Sequence, residues 1–187
     1  MHNKTLAIVL GLPRGGVIVG AAVARALHLP LDVIVARKLG VPQRPELAMG
    51  AITSVARIVL PEVIASYGVS DETLEAVIAA ERAELERREA VYRAGRPRPE
   101  LRARHVILTD DGVATGATML AAVASVRTQQ PSYITVAAPV IAASTLHQLA
   151  QAVDSVVFVV APRWMGAIGS WYQDFSQVSD AEVCAAL

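Results

Sequence analysis

The stretch VILTDDGVATGAT, Val106 to Thr118, decides how the rest of the chain is read. Apolar and β-branched residues run straight into two adjacent acids, Asp110 and Asp111, and a loop of small residues follows. In an open parallel sheet, ligands bind beyond the carboxyl ends of the strands, and the acid pair stands at such an end. Thr115-Gly116-Ala117-Thr118 opens the next helix, where unpaired amides and the helix dipole favour a phosphate. Glycine admits a close backbone approach there, and the hydroxyls add donors. An anion cradle beside two carboxylates is a conflict of charge unless one ligand offers different groups to each. A sugar phosphate does so: its hydroxyls donate to the carboxylates while its phosphate rests on the amides. Taken singly, Asp110 or Asp111 fits an Asx turn before an ordinary helix equally well. The combination points to a site. Neither GxxxxGK[ST] nor GxGxxG occurs, which excludes a Walker loop and the Rossmann fingerprint.

Outward from this stretch, strands alternate with helices. HVILTDD reads as a strand, ATMLAAVASVRTQ as a helix, SYITVAAPVI as a strand, STLHQLAQAV as a helix and SVVFVVAP as a strand. Upstream, LAIVLGL (Leu6–Leu12) is short, β-rich and apolar on both faces, as a strand inside a parallel sheet should be. PRGG breaks it, VIVGAAVARALH reads as a helix, and Leu29-Pro30 closes that helix before the strand LDVIVARKL. The stretch GVPQRPELAMG reads as a loop and AITSVARIVL as a third strand. Residues 71–94 form the clearest helix, with Ser70 as cap, Asp71 and Glu72 at its positive end, and Glu84–Arg88 and Glu89–Arg93 as i,i+4 pairs. RPRPE (Arg96–Glu100) is a stiff connector. Such alternation implies right-handed crossovers and an α/β fold, an open, mainly parallel sheet covered by helices on both faces.

Composition bounds the function. The chain has 187 residues, 53% of them hydrophobic, and 17 basic residues balance 17 acidic ones. That suits one domain, residues 1–187, with a full core and no global field toward nucleic acid or a membrane surface. No apolar run approaches the ~18 residues of a membrane span. Lys4 followed by LAIVLGL imitates a signal peptide, but PRGG interrupts the run too early, and it is read as a buried strand. Cys184 is the one cysteine, which fits a reducing cytoplasm, and His2, His28, His105 and His147 show no metal-ligand spacing.

VILTDDGVATGAT resembles the phosphoribosyl-pyrophosphate signature of type I phosphoribosyltransferases. The resemblance implies that Asp110 and Asp111 hold the ribose diol, and Mg²⁺ through hydroxyls or water, while Gly112, Val113, Ala114, Thr115, Gly116, Ala117 and Thr118 hold the 5-phosphate. Gly112 departs from the usual apolar residue after the acids. Ala114 replaces the aspartate of hypoxanthine–guanine enzymes, so adenine-type members are more similar at that point. Pro13-Arg14-Gly15-Gly16 stands where the family has its pyrophosphate loop, often with a cis peptide. Arg37-Lys38 stands where adenine-type members carry a cationic pair before a mobile loop, here about residues 40–50.

Only 4% of the chain is aromatic, yet Trp164, Trp171, Tyr172 and Phe175 cluster in APRWMGAIGSWYQDF. The family places a small hood over the nucleobase, here about residues 162–187, and Trp164 or Trp171 could stack on a base. Packing of these rings on the sheet or across a dimer contact is the equal alternative. The resemblance implies Mg²⁺-dependent transfer of phosphoribose to a nitrogenous base, with Arg14 and Lys38 beside the two aspartates as catalytic groups, in a homodimer. Arg37 would bind the leaving pyrophosphate. The alternative is a non-catalytic phosphoribosyl-pyrophosphate-binding regulator. The acceptor is not named by the residues; the sequence is most similar to members of the family without an assigned acceptor.

Overall fold

Five strands in one unbroken order, and a sixth of two residues, run parallel in the main sheet of the computed structural model, which describes residues 7–187. His2, Lys4 and Leu6 lie outside the described residues. The strands are β1 (Ala7–Gly11), β2 (Leu31–Val33), β6 (His105–Thr109), β8 (Tyr133–Ile141) and β9 (Ser155–Val160), in the order β2-β1-β6-β8-β9. A two-residue strand, β7 (Gly112–Val113), pairs with the far end of β8. The chain moves from β1 outward to β2 on one side, and from β6 outward through β8 to β9 on the other. The direction of winding therefore reverses between β1 and β6, the place where such sheets bind ligands.

Alternate residues of each strand point to opposite faces, and both faces are covered. Val9 and Ile107 face helix α1 (Gly15–Leu27), packing with Ala24. Ile8, Leu10, Val106, Leu108, Ile134 and Val136 face the other way, onto α4 (Ala117–Arg127) and α5 (Ala143–Ala152). This is the α/β architecture expected from the alternation.

The first half departs from expectation in its strands. LDVIVARKL does not form one strand: β2 ends at Val33, and Arg37 opens β3 (Arg37–Val41) in a separate sheet. β3, β4 (Arg44–Ile52) and β5 (Arg57–Val59) form an antiparallel meander. The stretch assigned to a loop, residues 40–50, is therefore mostly a β-hairpin with a turn at Pro42-Gln43, and AITSVARIVL supplies the end of β4 and all of β5. A short helix, α2 (Pro61–Ser66), leads from β5 to α3 (Asp71–Arg93). The small sheet presents Leu39, Val41, Met49 and Ile52 to α3, whose Leu74, Ile78, Leu85 and Tyr92 complete a second core with Val183 of α6 (Asp180–Ala186). Its Ala48 and Ala51 pack on Ala117 and Ala121 of α4.

Helix α3 keeps its expected cap, the Thr73 amide donating to Ser70 Oγ at 3.2 Å. Of its two expected ion pairs, Glu84–Arg88 forms at 2.7 Å. Glu89–Arg93 does not. Arg93 turns inward to Asp32 at 3.2 Å and donates to the Val33 carbonyl, while Glu89 takes Arg98 from the connector at 2.6 Å. An inward arginine gains a half-buried carboxylate and a carbonyl together, which a surface i,i+4 partner does not offer.

Candidate active site

The register between β1 and β6 brings two loops together. Gly11 lies beside Thr109, so the turn after β1 and the acids after β6 leave the sheet side by side. Two hydrogen bonds fasten them: the Leu12 amide donates to the Thr109 carbonyl at 2.9 Å, and the Thr109 Oγ1 hydroxyl donates to the Gly16 carbonyl at 2.8 Å. The Pro13–Arg14 peptide is cis. Two glycines make the approach possible. A Cβ at Gly15 would overlap the Asp111 carboxylate, and one at Gly16 would stand 2.6 Å from the Thr109 carbonyl and 2.8 Å from Asp110 Cα. Any side chain at Gly16 would push the two loops apart.

Asp110 and Asp111 are both half-buried. Asp110 Oδ1 accepts the Asp111 amide at 2.9 Å. Burial, and then the neighbouring Asp111 charge, push the Asp110 carboxyl well above the ordinary carboxylate range. Burial raises Asp111 as well. The pair is thus short of positive charge and of donors, which a ligand rich in hydroxyls, or a cation, would bring.

Beyond the acids, Gly112 and Val113 enter the sheet as β7, and both are buried. Val113 belongs to the core under α4 and α5, and Ala117 packs against the small sheet, so these two can serve a ligand only through their main chain. Ala114 and Thr115 are exposed. Gly116 takes a left-handed φ of 78° as the N-cap of α4, and a Cβ there would lie 2.7 Å from Thr145 Cγ2. The start of α5 braces this loop from behind: the Ala142 amide donates to the Val113 carbonyl at 2.8 Å, and Thr145 Oγ1 donates to the Ala114 carbonyl. Residues Asp110 to Met119, together with Ile168, line a concave cradle of about 220 Å³.

A larger cleft, about 750 Å³, adjoins it and shares Asp111. Its walls include Arg14 and Gly15 on one side and Tyr172, Phe175 and Gln177 on the other. Arg14 makes no ion pair among the described residues. Tyr172 donates its hydroxyl to the Asp111 carbonyl. Burial, and then the two aspartates, raise that phenol to about 12, so it remains a donor across the physiological range. The Tyr172 and Phe175 rings lie 5.0 Å apart at 42°.

The two expected tryptophans do not reach either cavity. Trp164 is 92% exposed, and Trp171 donates its Nε1–H outward to the Met165 carbonyl at 2.9 Å. The short helix Ile168–Trp171 turns Trp171 away and presents Ile168 and Tyr172 instead. Of the clustered aromatics, Tyr172 and Phe175 line the large cleft, and Trp164 and Trp171 line neither cavity.

Arg37 and Lys38 also stand apart. Because they open β3 rather than close β2, they line a separate cavity of about 260 Å³ with Val77 and Glu81. Arg37 is held by Glu81 at 2.7 Å, and Lys38 Nζ donates to the Glu46 carbonyl at 3.0 Å. Thr145, Ile168 and Tyr172 were not among the expected site residues. Tyr172 stands in the aromatic cluster, but nothing in the local sequence marks Thr145 or Ile168, and each of the three makes its contact only on folding.

The family described as "Phosphoribosyl transferase domain" matches residues 2–166. Two Mycobacterium tuberculosis proteins, "Putative phosphoribosyl transferase Rv0571c" and "Putative phosphoribosyl transferase MT0597", are each 41% identical over 181 residues, 96% of this chain. The chain spans 41% of the length of these curated relatives. The crystal structure of TT1426 from Thermus thermophilus is 39% identical, covers 97% of this chain and 86% of its own, and superposes with a TM-score of 0.79.

Proposed function

The chain belongs to the phosphoribosyl transferase domain family, and from that premise we propose that it moves the phosphoribosyl group of phosphoribosyl pyrophosphate onto a nitrogenous base, releasing pyrophosphate. The observation that carries this reading is the junction at Asp111. One carboxylate borders both a small cradle ending at a helix N-terminus and a larger cleft lined by Arg14 and by aromatic rings. A ribose bridging the two would set its 5-phosphate on the Thr115–Thr118 amides and hydroxyls, its diol on the acids and its anomeric carbon toward the cleft.

In the transfer, a bond forms between the acceptor nitrogen and the anomeric carbon as the bond to pyrophosphate breaks. The electron pair leaves with pyrophosphate, and the nitrogen's proton passes to solvent. In this reading Arg14, in the cleft wall, partners that growing negative charge, and Tyr172 and Phe175 offer rings against which a planar base can lie. Catalysis of this kind rests on positioning and charge stabilisation.

Asp110 and Asp111 fit a Mg²⁺ site only in part. No group of three or more ligating side chains occurs among the described residues. Two hard carboxylates are nevertheless what Mg²⁺ takes from a protein when a substrate phosphate and water supply its other ligands. When bound, the ion would offset the charge of the pyrophosphate.

The test is calorimetric titration with phosphoribosyl pyrophosphate, with and without Mg²⁺, followed by pyrophosphate release across purine and pyrimidine acceptors. The expected result is Mg²⁺-dependent binding that falls at least tenfold in the Asp110→Asn/Asp111→Asn variant, together with release on one acceptor. Binding without release on any acceptor would favour a regulatory protein; absence of binding by wild type would remove the ligand assignment.

A further inference from the structure

The glycine after the acids has a structural cause in the hood. Gly112 lies in β7, buried, with the Ile168 side chain directly on its α-carbon. A Cβ at position 112 would stand 2.6 Å from Ile168 Cγ2, 3.0 Å from Cγ1 and 3.1 Å from Cδ1. An alanine there cannot be housed by moving one flexible tip, because the whole branched side chain is in the way. One residue earlier, the Tyr172 hydroxyl reaches the Asp111 carbonyl. The hood therefore grips two consecutive residues of the turn that carries the acid pair. Ile168 also lines the cradle, and Tyr172 lines the cleft. Both residues lie beyond the span matched by the family, which ends at residue 166.

We propose that Ile168 is a positioning residue for the sugar-phosphate loop: seated on Gly112, it forms the apolar wall of the cradle and fixes the acid pair relative to the cleft. This rests on the sugar-phosphate reading of the cradle. The loop gives the cradle Asp110, Asp111, Thr115 and Thr118 as its polar side chains, and Ile168 is the hood's contribution to the lining. The hood contributes a β-branched side chain with restricted rotamers, which excludes water from that wall. Glycine at 112 is the complement that lets this wall sit against the backbone. A larger residue there would fill the same space from the other side, so the cradle wall would come from the loop rather than from the hood.

Geometry predicts a specific pattern across three variants. Gly112→Ala should drive Ile168 off the loop, Ile168→Ala should leave the loop without its wall, and Gly112→Ala/Ile168→Ala should relieve the overlap. The probe is ribose 5-phosphate with Mg²⁺, titrated by calorimetry, with thermal melting recorded on the same proteins. Gly112→Ala is expected to weaken binding about tenfold or more and to melt earlier than wild type. The double variant should recover most of the lost melting temperature and bind within about threefold of Ile168→Ala. Wild-type affinity in Gly112→Ala would overturn the proposal, as would a folded double variant no better than Gly112→Ala. Failure of wild type to bind ribose 5-phosphate would instead overturn the sugar-phosphate reading. The melting series alone would then decide whether Ile168 and Gly112 are a packed pair.

Discussion

Asp110 is the residue at which the proposed function and stability oppose each other. Its carboxyl is raised first by burial and then by Asp111, so ionising it in the folded protein costs free energy that the unfolded chain does not spend. A raised carboxyl supports the fold fully below its unfolded value, near 4, and that contribution is lost as pH rises through the raised value. As pH rises from 4 toward 8 the wild-type protein therefore carries a growing share of that cost. Asp110→Asn keeps the acceptor for the Asp111 amide and removes the charge. It should melt higher than wild type at pH 7–8, by about 2–4 °C for each 1 kcal/mol relieved, and the gap should close as pH falls toward 4. A melting series from pH 4 to 8 checks this; a gap independent of pH would mean that charge is not its cause. The same residue shows what the sequence could reveal. Two acids at a strand end before a Thr-Gly-Ala-Thr helix start were legible because each type has few other uses in that order. Ile168 and Thr145 were not, and Tyr172 was legible only as one of four clustered aromatics, because their contacts depend on a hood and a helix that reach the loop from 30 or more positions away.

Among the elements, the β3–β4 hairpin is the one that sequence patterning misassigned, and the reason is physical. An apolar β-rich run such as AITSVARIVL satisfies a buried strand of either sheet, and two prolines imitate a loop. Pro42 falls in the two-residue turn, and Pro45 lies near the start of β4, where a missing amide is tolerated. Which sheet accepts the run depends on α3, whose apolar face needs Leu39, Met49 and Ile52 as its partners. The hairpin also decides the place of Arg37. Its guanidinium is tied to Glu81 of α3 with both side chains about a quarter exposed, so the pair joins the small sheet to the helix. Exchange of Glu81 for Gln should lower stability by at most about 1 kcal/mol, a shift of about 2–4 °C, and leave ribose 5-phosphate affinity unchanged. Thermal melting and calorimetry on the same variant separate the two effects. A tighter affinity for pyrophosphate in Glu81→Gln would instead return Arg37 to the leaving-group site.

At the scale of the whole molecule, the last segment of the chain links the site to the core. After forming the hood it returns as α6, which packs on α1 and α3. The capping box of Ser179 and Glu182 starts this short helix, and the Tyr92 hydroxyl donates to Asp180 at 2.6 Å. Val183 is fully buried among the residues of the second core, which include Val17, two residues after α1 begins at Gly15 in the turn that follows β1. One wall of the large cleft comes from α1, through Ile18 and Val19, and the opposite wall from Val178 and Glu182. Packing at Val183 thus holds both walls. Val183→Ala removes two buried methyl groups and leaves a cavity between three helices, a loss of about 2 kcal/mol, or roughly 4–8 °C for a chain of this size. Its neighbour Cys184 is exposed, and Cys184→Ser should stay within about 0.5 kcal/mol of wild type. Differential melting of the two variants checks the contrast. An equal, small effect at both positions would mean that α6 rides on the surface and that the cleft is held by the hood alone.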